Sequence, residues 1–210
     1  MQLTSTDCLL VIDVQNDFLP GGALAVPDGD QVIPVVNRLA QAFGRVVLTQ
    51  DWHPREHVSF AANHPGTQPF GTIDLPYGQQ VLWPTHCMQH SAGAELADGL
   101  DVPHAQLIVR KGYHPQIDSY SAFFEADRKT PTGLLGYLRE LGIHRVFCVG
   151  LATDFCVAWS ALDARAAGLE VAVVEDACRA IDLNGSLAQA WQHMTDAGIA
   201  RLQSPDVLNG

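Results

Sequence analysis

Short apolar runs recur along the chain and alternate with stretches whose apolar positions return every three or four residues. The runs predict strands over Cys8–Val14, Arg45–Gln50, Gln106–Lys111, Arg145–Gly150, Glu170–Glu175 and, least marked, Ala200–Gln203. The periodic stretches predict helices near 31–43, 131–141, 154–167 and 185–197. Thr130-Pro131 reads as a helix cap followed by a first-turn proline, and Gly168 and Gly198 fall where two helices should stop. Strands that are apolar throughout and separated by helices imply burial on both faces. The fold class is therefore α/β, a mostly parallel central sheet of about six strands with helices on both sides. At 210 residues the chain suits one domain, spanning 1–210.

One stretch escapes this pattern. From Asp51 to Ala105 there is little periodicity, much Pro and Gly, and six of the nine histidines (53, 57, 64, 86, 90, 104). A loop region of that length inside a compact domain is usually functional or held by something besides its own core, and a metal site would hold it. Composition narrows the partners. A formal charge of −11 argues against nucleic acid or an anionic membrane, because phosphates are held by Lys and Arg. No basic leader precedes the first strand and Asp13 cuts its apolar run, so no signal peptide or membrane span is expected. The five cysteines (8, 87, 148, 156, 178) lack paired spacing, as in a reduced cytoplasmic protein.

Ligands of open parallel sheets bind beyond the carboxyl ends of the strands. Read in order, those ends carry Asp13, Asp51, Lys111 and the Gly150 turn leading to Cys156. Asp13 shares the alternation of Leu9 and Val11, which should bring its carboxylate out on a buried face. Burial raises a carboxyl pKa and a cation lowers it, and Lys111, in phase with Leu107 and Val109, supplies the cation. A structural ion pair would explain either residue alone; a cysteine on the same edge favours catalysis. Cys156 lies in a strand-to-helix turn, where unpaired N–H groups and the helix dipole favour a thiolate and can hold an oxyanion. Cys8, Cys148 and Cys178 suit the alternative of a buried structural thiol better. Asp51 and His53 should point the same way in extended chain, and His86 could join them as a third metal ligand. Such a set with open positions suits zinc, iron or manganese. His57 is the candidate for an extra ligand, while solvated or loop-packing roles remain open for it, His64 and His90.

Six ordered segments now match a known family. They are Val11-Ile12-Asp13-Val14-Gln15-Asn16-Asp17-Phe18 with Pro20-Gly21-Gly22-Ala23-Leu24; Thr49-Gln50-Asp51-Trp52-His53-Pro54 with His57, Ser59 and Phe60; Trp83-Pro84-Thr85-His86-Cys87; Lys111-Gly112; Asp118-Ser119-Tyr120-Ser121-Ala122-Phe123; and Gly150-Leu151-Ala152-Thr153-Asp154-Phe155-Cys156-Val157. Over nearly its whole length the chain resembles nicotinamidases (pyrazinamidases) of the isochorismatase-like cysteine hydrolase superfamily. The resemblance implies one isochorismatase-like domain with a metal-binding loop region at about 51–105; nothing is carried over for the 61–82 loop. It implies hydrolysis of nicotinamide to nicotinate and ammonia through a cysteine thioester, with Asp13, Lys111 and Cys156 catalytic. Backbone N–H groups of Ala152 and Cys156 would form the oxyanion hole, beside a cis peptide at Leu151–Ala152. Asp51, His53 and His86 would hold one divalent ion, and Phe18, Leu24, Trp83 and Tyr120 would line the substrate, although ordinary core packing also accounts for the aromatics. The implied partner is a small aromatic amide, pyrazinamide included, in cofactor salvage; a homo-oligomer is left open.

Two rivals stay in view. A metal-independent isochorismatase-like or carbamoyl hydrolase would lack a use for Asp51, His53 and His86. A catalytically idle metal-binding scaffold would lack a use for Asp13, Lys111 and Cys156. A redox-sensing Cys156 would need a resolving cysteine at short range, and the sequence offers none.

Overall fold

The computed structural model describes residues 2–209. Six parallel strands form the central sheet: β1 (Asp7–Ile12), β2 (Val46–Asp51), β5 (Leu107–Lys111), β6 (Arg145–Leu151), β7 (Glu170–Arg179) and β8 (Ala200–Leu202). They lie in the order β5-β2-β1-β6-β7-β8, so β1 is central and the chain winds outwards in both directions from it. Strands buried on both faces need apolar side chains in both phases, and β1 and β6 supply them almost without interruption.

The two faces of the sheet separate two cores. On one, Leu9, Val11 and Leu48 meet Val32, Val36 and Leu39 of α1 (Val32–Ala40), together with Val207 of the short α5 (Ser204–Leu208). On the other, Leu10, Ile12 and Val47 meet Leu134 and Leu138 of α2 (Leu134–Glu140), Ala158 and Ala161 of α3 (Ala158–Ala166), and Met194 of α4 (Ser186–Asp196). Among the described residues no helix is long and apolar enough to cross a membrane.

The expected elements appear within a few residues of their predicted ends, with instructive exceptions. Thr130-Pro131 does not open α2. Asp127 takes the Thr130 N–H and hydroxyl, Pro131 bridges Phe124, and the helix starts three residues later, after Gly133. Strand β7 runs on to Arg179, because pairing with β6 resumes beyond a register shift at Gly150. The 51–105 region contains a small antiparallel hairpin, β3 (Thr72–Leu75) with β4 (Gly78–Val81), which the periodicity did not show. Ile73 and Leu75 alternate with Thr72 and Asp74 over only four residues, and Gly78-Gln79-Gln80 opposite them carries no apolar side chain, so the signal is too short to read.

Candidate active site

The carboxyl ends of β1, β2, β5 and β6 converge on one buried cluster. Gly150 makes the approach of the nucleophile segment workable: a Cβ there would lie 2.1 Å from the Ile12 carbonyl oxygen, and its φ of +113° suits glycine alone. Beyond it the Leu151–Ala152 peptide is cis. Residues Thr153–Val157 then form a single π-type turn that feeds α3 and carries Cys156. The amides of Phe155 and Val157 both donate to the Ala152 carbonyl, at 3.1 Å each, which winds the turn tightly around position 152.

Lys111, fully buried at the end of β5, is the hub. Its Nζ lies 2.8 Å from Asp13 Oδ2, forms an ion pair with Asp51 Oδ1, donates to the Ser119 carbonyl at 3.0 Å and sits 3.5 Å from Cys156 Sγ. Asp13 arrives differently from the expectation. It lies one residue past β1 with φ 49°, so strand alternation no longer governs it. Its carboxylate meets Thr49 and Lys111, which alternate with Val47 and Val109 on the face opposite Leu9 and Val11. Thr49 both donates its hydroxyl to Asp13 Oδ1, at 2.5 Å, and accepts the Asp13 N–H, which fixes the carboxylate.

Lys111 meets Asp13 Oδ2 as a close ion pair, and among the described residues that buried oxygen has no aligned hydrogen-bond donor. Asp13, Asp51 and Cys156 present atoms within 4.8 Å of one another, which puts the thiol within reach of it. Burial and the neighbouring Asp51 raise the Asp13 carboxyl above its ordinary range, against the pull of Lys111. Burial also holds the Cys156 thiol well above its usual value, although Lys111 opposes this. Lys111 itself stays firmly cationic, because the Asp13 and Asp51 carboxylates outweigh the burial that would neutralise it. A thiol beside a strengthened carboxylate base and a fixed cation is the starting state for proton transfer on demand.

Next to this cluster, Asp51, His53 and His86 bring one donor atom each to within 4.8 Å of one another. His53 Nε2 is 3.5 Å and His86 Nε2 3.9 Å from Asp51 Oδ2. The outer nitrogens decide the fit. His53 Nδ1 bonds the Gly112 carbonyl and His86 Nδ1 the Pro84 carbonyl, at 2.8 Å each, so both rings carry their proton there and turn a bare Nε2 inwards. Two inward imidazoles and a buried carboxylate held below its usual pKa by the Lys111 ammonium are a fitting donor set for a divalent ion. His57 lies against His53, with ring centroids 4.2 Å apart, but not in this set: its Nδ1 bonds Ser59 Oγ and its Nε2 the Ile117 carbonyl. His64 and His90 are placed elsewhere, on the Val58 carbonyl and against the Trp52 ring.

A single cavity joins the two clusters. Phe18, Leu24, Trp83 and Tyr120 line it together with Ala152, Cys156 and the three metal-type ligands, while Asp13 and Lys111 lie behind Cys156. The Trp83 indole N–H donates to Tyr120 Oη at 3.0 Å, locking the two walls together. Four further lining residues, Asp118, Ser119, Phe155 and Ile181, were not singled out from sequence. Asp118, Ser119 and Phe155 stood inside matched motifs, so a signal existed; Ile181 lies in a loop that only tertiary structure brings here.

An α/β sheet whose strand ends assemble a cysteine, a carboxylate and a lysine beside an Asp–His–His set defines a candidate nucleophilic-cysteine hydrolase centre. The chain belongs to the isochorismatase-domain family, whose model matches residues 7–204. It is 59% identical over 208 residues to a nicotinamidase of Acinetobacter baylyi, covering 99% of this chain and 97% of that one. It superposes on a nicotinamidase–pyrazinamidase structure from Acinetobacter baumanii with a TM-score of 0.98, at 61% identity, covering 99% of this chain and 100% of that one. A pyrazinamidase of Pyrococcus horikoshii in complex with zinc matches with a TM-score of 0.78 at 36% identity, covering 94% of this chain and 99% of that one.

Proposed function

We propose that this chain is a nicotinamidase, an amidohydrolase that converts nicotinamide to nicotinate and ammonia, and that it also deamidates pyrazinamide. The observation that carries the reading is the Lys111 hub. One buried ammonium touches Asp13, Asp51 and Cys156 behind a cavity with aromatic walls. Near full-length similarity to a nicotinamidase supplies the substrate.

The chemistry follows from the placement. Asp13 takes the thiol proton of Cys156, and Lys111 stabilises the thiolate so formed. The thiolate attacks the amide carbonyl carbon, and the N–H groups of Ala152 and Cys156 receive the developing oxyanion. The C–N bond breaks as Asp13 returns the proton to nitrogen, and ammonia leaves a thioester on Cys156. Water then attacks the thioester, Asp13 takes its proton, and the regenerated thiol releases nicotinate. Phe18, Leu24, Trp83 and Tyr120 hold the ring throughout. Asp51, His53 and His86 would hold one divalent ion, zinc ahead of iron or manganese, supplying a Lewis acid for the pyridine nitrogen and for water. His57 supports His53 by ring contact, and an additional ligand role for it requires release of its bonds to Ser59 and Ile117. The domain is read as one unit over 1–210 with its metal-binding region at about 51–105, acting in the cytoplasm.

The test is ammonia release from nicotinamide by purified protein, beside Cys156→Ala and a metal-stripped sample. Release that disappears in both controls supports the reading. Release that survives metal removal keeps nicotinamide as the substrate and takes the ion out of the reaction. No release from folded, metal-loaded protein refutes nicotinamide as the substrate.

A further inference from the structure

Asp154 sits two residues before the nucleophile, yet its side chain turns away from the substrate cavity. The cavity is lined by its neighbours Ala152, Phe155 and Cys156, whereas Asp154 borders a groove between α3 and α4. The residue is buried, and its two oxygens are fully used. Oδ1 accepts the Ile181 N–H at 3.1 Å, and Oδ2 accepts the Asp182 N–H at 2.8 Å and the Ser186 hydroxyl. Ile181 and Asp182 lie in the loop joining β7 to α4, and Ser186 is the first residue of α4. Asp182, Asn184 and Gly185 in that loop all hold left-handed backbone, which costs the two non-glycine residues energy unless their surroundings fix it. Ile181 of the same loop lies on the cavity wall.

We propose that Asp154 is a positioning residue that ties the 181–186 loop to the nucleophile turn, and that Ile181, so held, sets which ring substituents the cavity admits. The proposal rests on the nicotinamidase reading for its substrates. A carboxylate is needed because both oxygens must accept, and a donor group on either would face an N–H or require the serine to rotate. The nucleophile and the opposing wall therefore move together, which keeps a small aromatic amide in register with Cys156. Asp154 reaches the chemistry only through Ile181. Its loss should accordingly affect binding and selectivity more than the reactivity of the thiol.

The experiment compares Asp154→Ala, Asp154→Asn, Ser186→Ala and Ile181→Ala with wild type, each checked for fold by circular dichroism. Asp154→Ala should raise KM for nicotinamide about tenfold while kcat falls less than about threefold, and Asp154→Asn and Ser186→Ala should lie between it and wild type. Across ring-methylated nicotinamides, Ile181→Ala should improve kcat/KM for at least one congener relative to nicotinamide by about tenfold, the scale of one methyl group in an apolar pocket. Asp154→Ala should move the same congener the same way. A separate arm needs no turnover: the rate of Cys156 alkylation by N-phenylmaleimide relative to iodoacetamide should rise in both alanine variants. An unchanged congener ranking and an unchanged alkylation ratio would overturn the proposal. So would a parallel collapse of kcat and of iodoacetamide reactivity, which would make Asp154 a structural support of the turn. If wild type releases no ammonia from nicotinamide, the parent reading fails and the alkylation ratios alone decide this one. Should Asp154→Ala not fold, Asp154→Asn and Ser186→Ala carry the same comparison.

Discussion

Glu125→Gln should make the protein's stability less sensitive to pH. Glu125 lies between β5 and α2 with its side chain buried and neither oxygen matched to an aligned donor among the described residues. The groups nearest it in effect are Lys111, the Ser119 hydroxyl, the Gly112 N–H and Asp118. Burial pushes its carboxyl from 4.5 up to about 7, and the partial attraction of Lys111 does not cancel this. In the unfolded chain the group ionises near 4.5; in the folded protein it holds its proton to about 7. The folded state therefore binds more protons between those values. This contribution to stability is fully present below 4.5, declines as pH rises to about 7, and is flat above. At about 1.4 kcal/mol per pH unit the interval corresponds to roughly 3 kcal/mol. Gln cannot ionise, so its variant lacks that loss. Urea unfolding of both proteins at pH 5, 6, 7 and 8 measures it. The stability difference, variant minus wild type, should move in the variant's favour by roughly 2–3 kcal/mol between pH 5 and pH 8. Titrations common to both proteins cancel in that difference. A difference independent of pH would refute a neutral buried Glu125.

The other expectations are quickly stated. Asp13→Asn should lower kcat by about 10²- to 10⁴-fold, the range of a lost general acid–base, while nicotinamide still binds; wild-type turnover would remove Asp13 from the proton path. Dialysis against a chelator should abolish ammonia release and lower Tm, with recovery on adding back zinc, iron or manganese; full activity in protein shown to be metal-free would exclude the ion from the reaction. Gly112→Ala should lower bound metal and, with it, activity. A Cβ at that left-handed position would sit 2.4 Å from His53 Cε1, so the ligand ring must move; unchanged metal content by elemental analysis would mean the loop yields instead.

Much of the fold was legible because its signal is local. Strands β1, β2 and β5 end at a polar residue, Asp13, Asp51 and Lys111, and β6 at the Gly150 turn, and those endings mark both the strand boundary and the site. Gly168 and Gly198 mark the ends of α3 and α4 for the same reason. Signals with two uses failed. Thr130-Pro131 has the chemistry of a helix start, but Asp127 competes for its donors and wins. The phase of Asp13 could not be read, since left-handed backbone at an aspartate has no marker in the sequence. Glu125, Asp154 and Ile181 act through groups distant in sequence; the chain shows their identities but not what they face.

The electrostatics explain why these residues come as a set. Asp51 belongs to both clusters: one oxygen pairs with Lys111 and the other faces the two imidazoles. Removing it would leave Lys111 with Asp13 as its sole carboxylate partner among these groups, tightening that pair and weakening Asp13 as a base toward Cys156. The same change would strip the metal-type donor set of its anion. In the proposed function, metal affinity and thiol activation are coupled through this one carboxylate, and Asp51→Asn should impair both. His86→Ala, which lies outside the contacts of Lys111, should instead damage the metal-type half alone, and this contrast isolates the coupling.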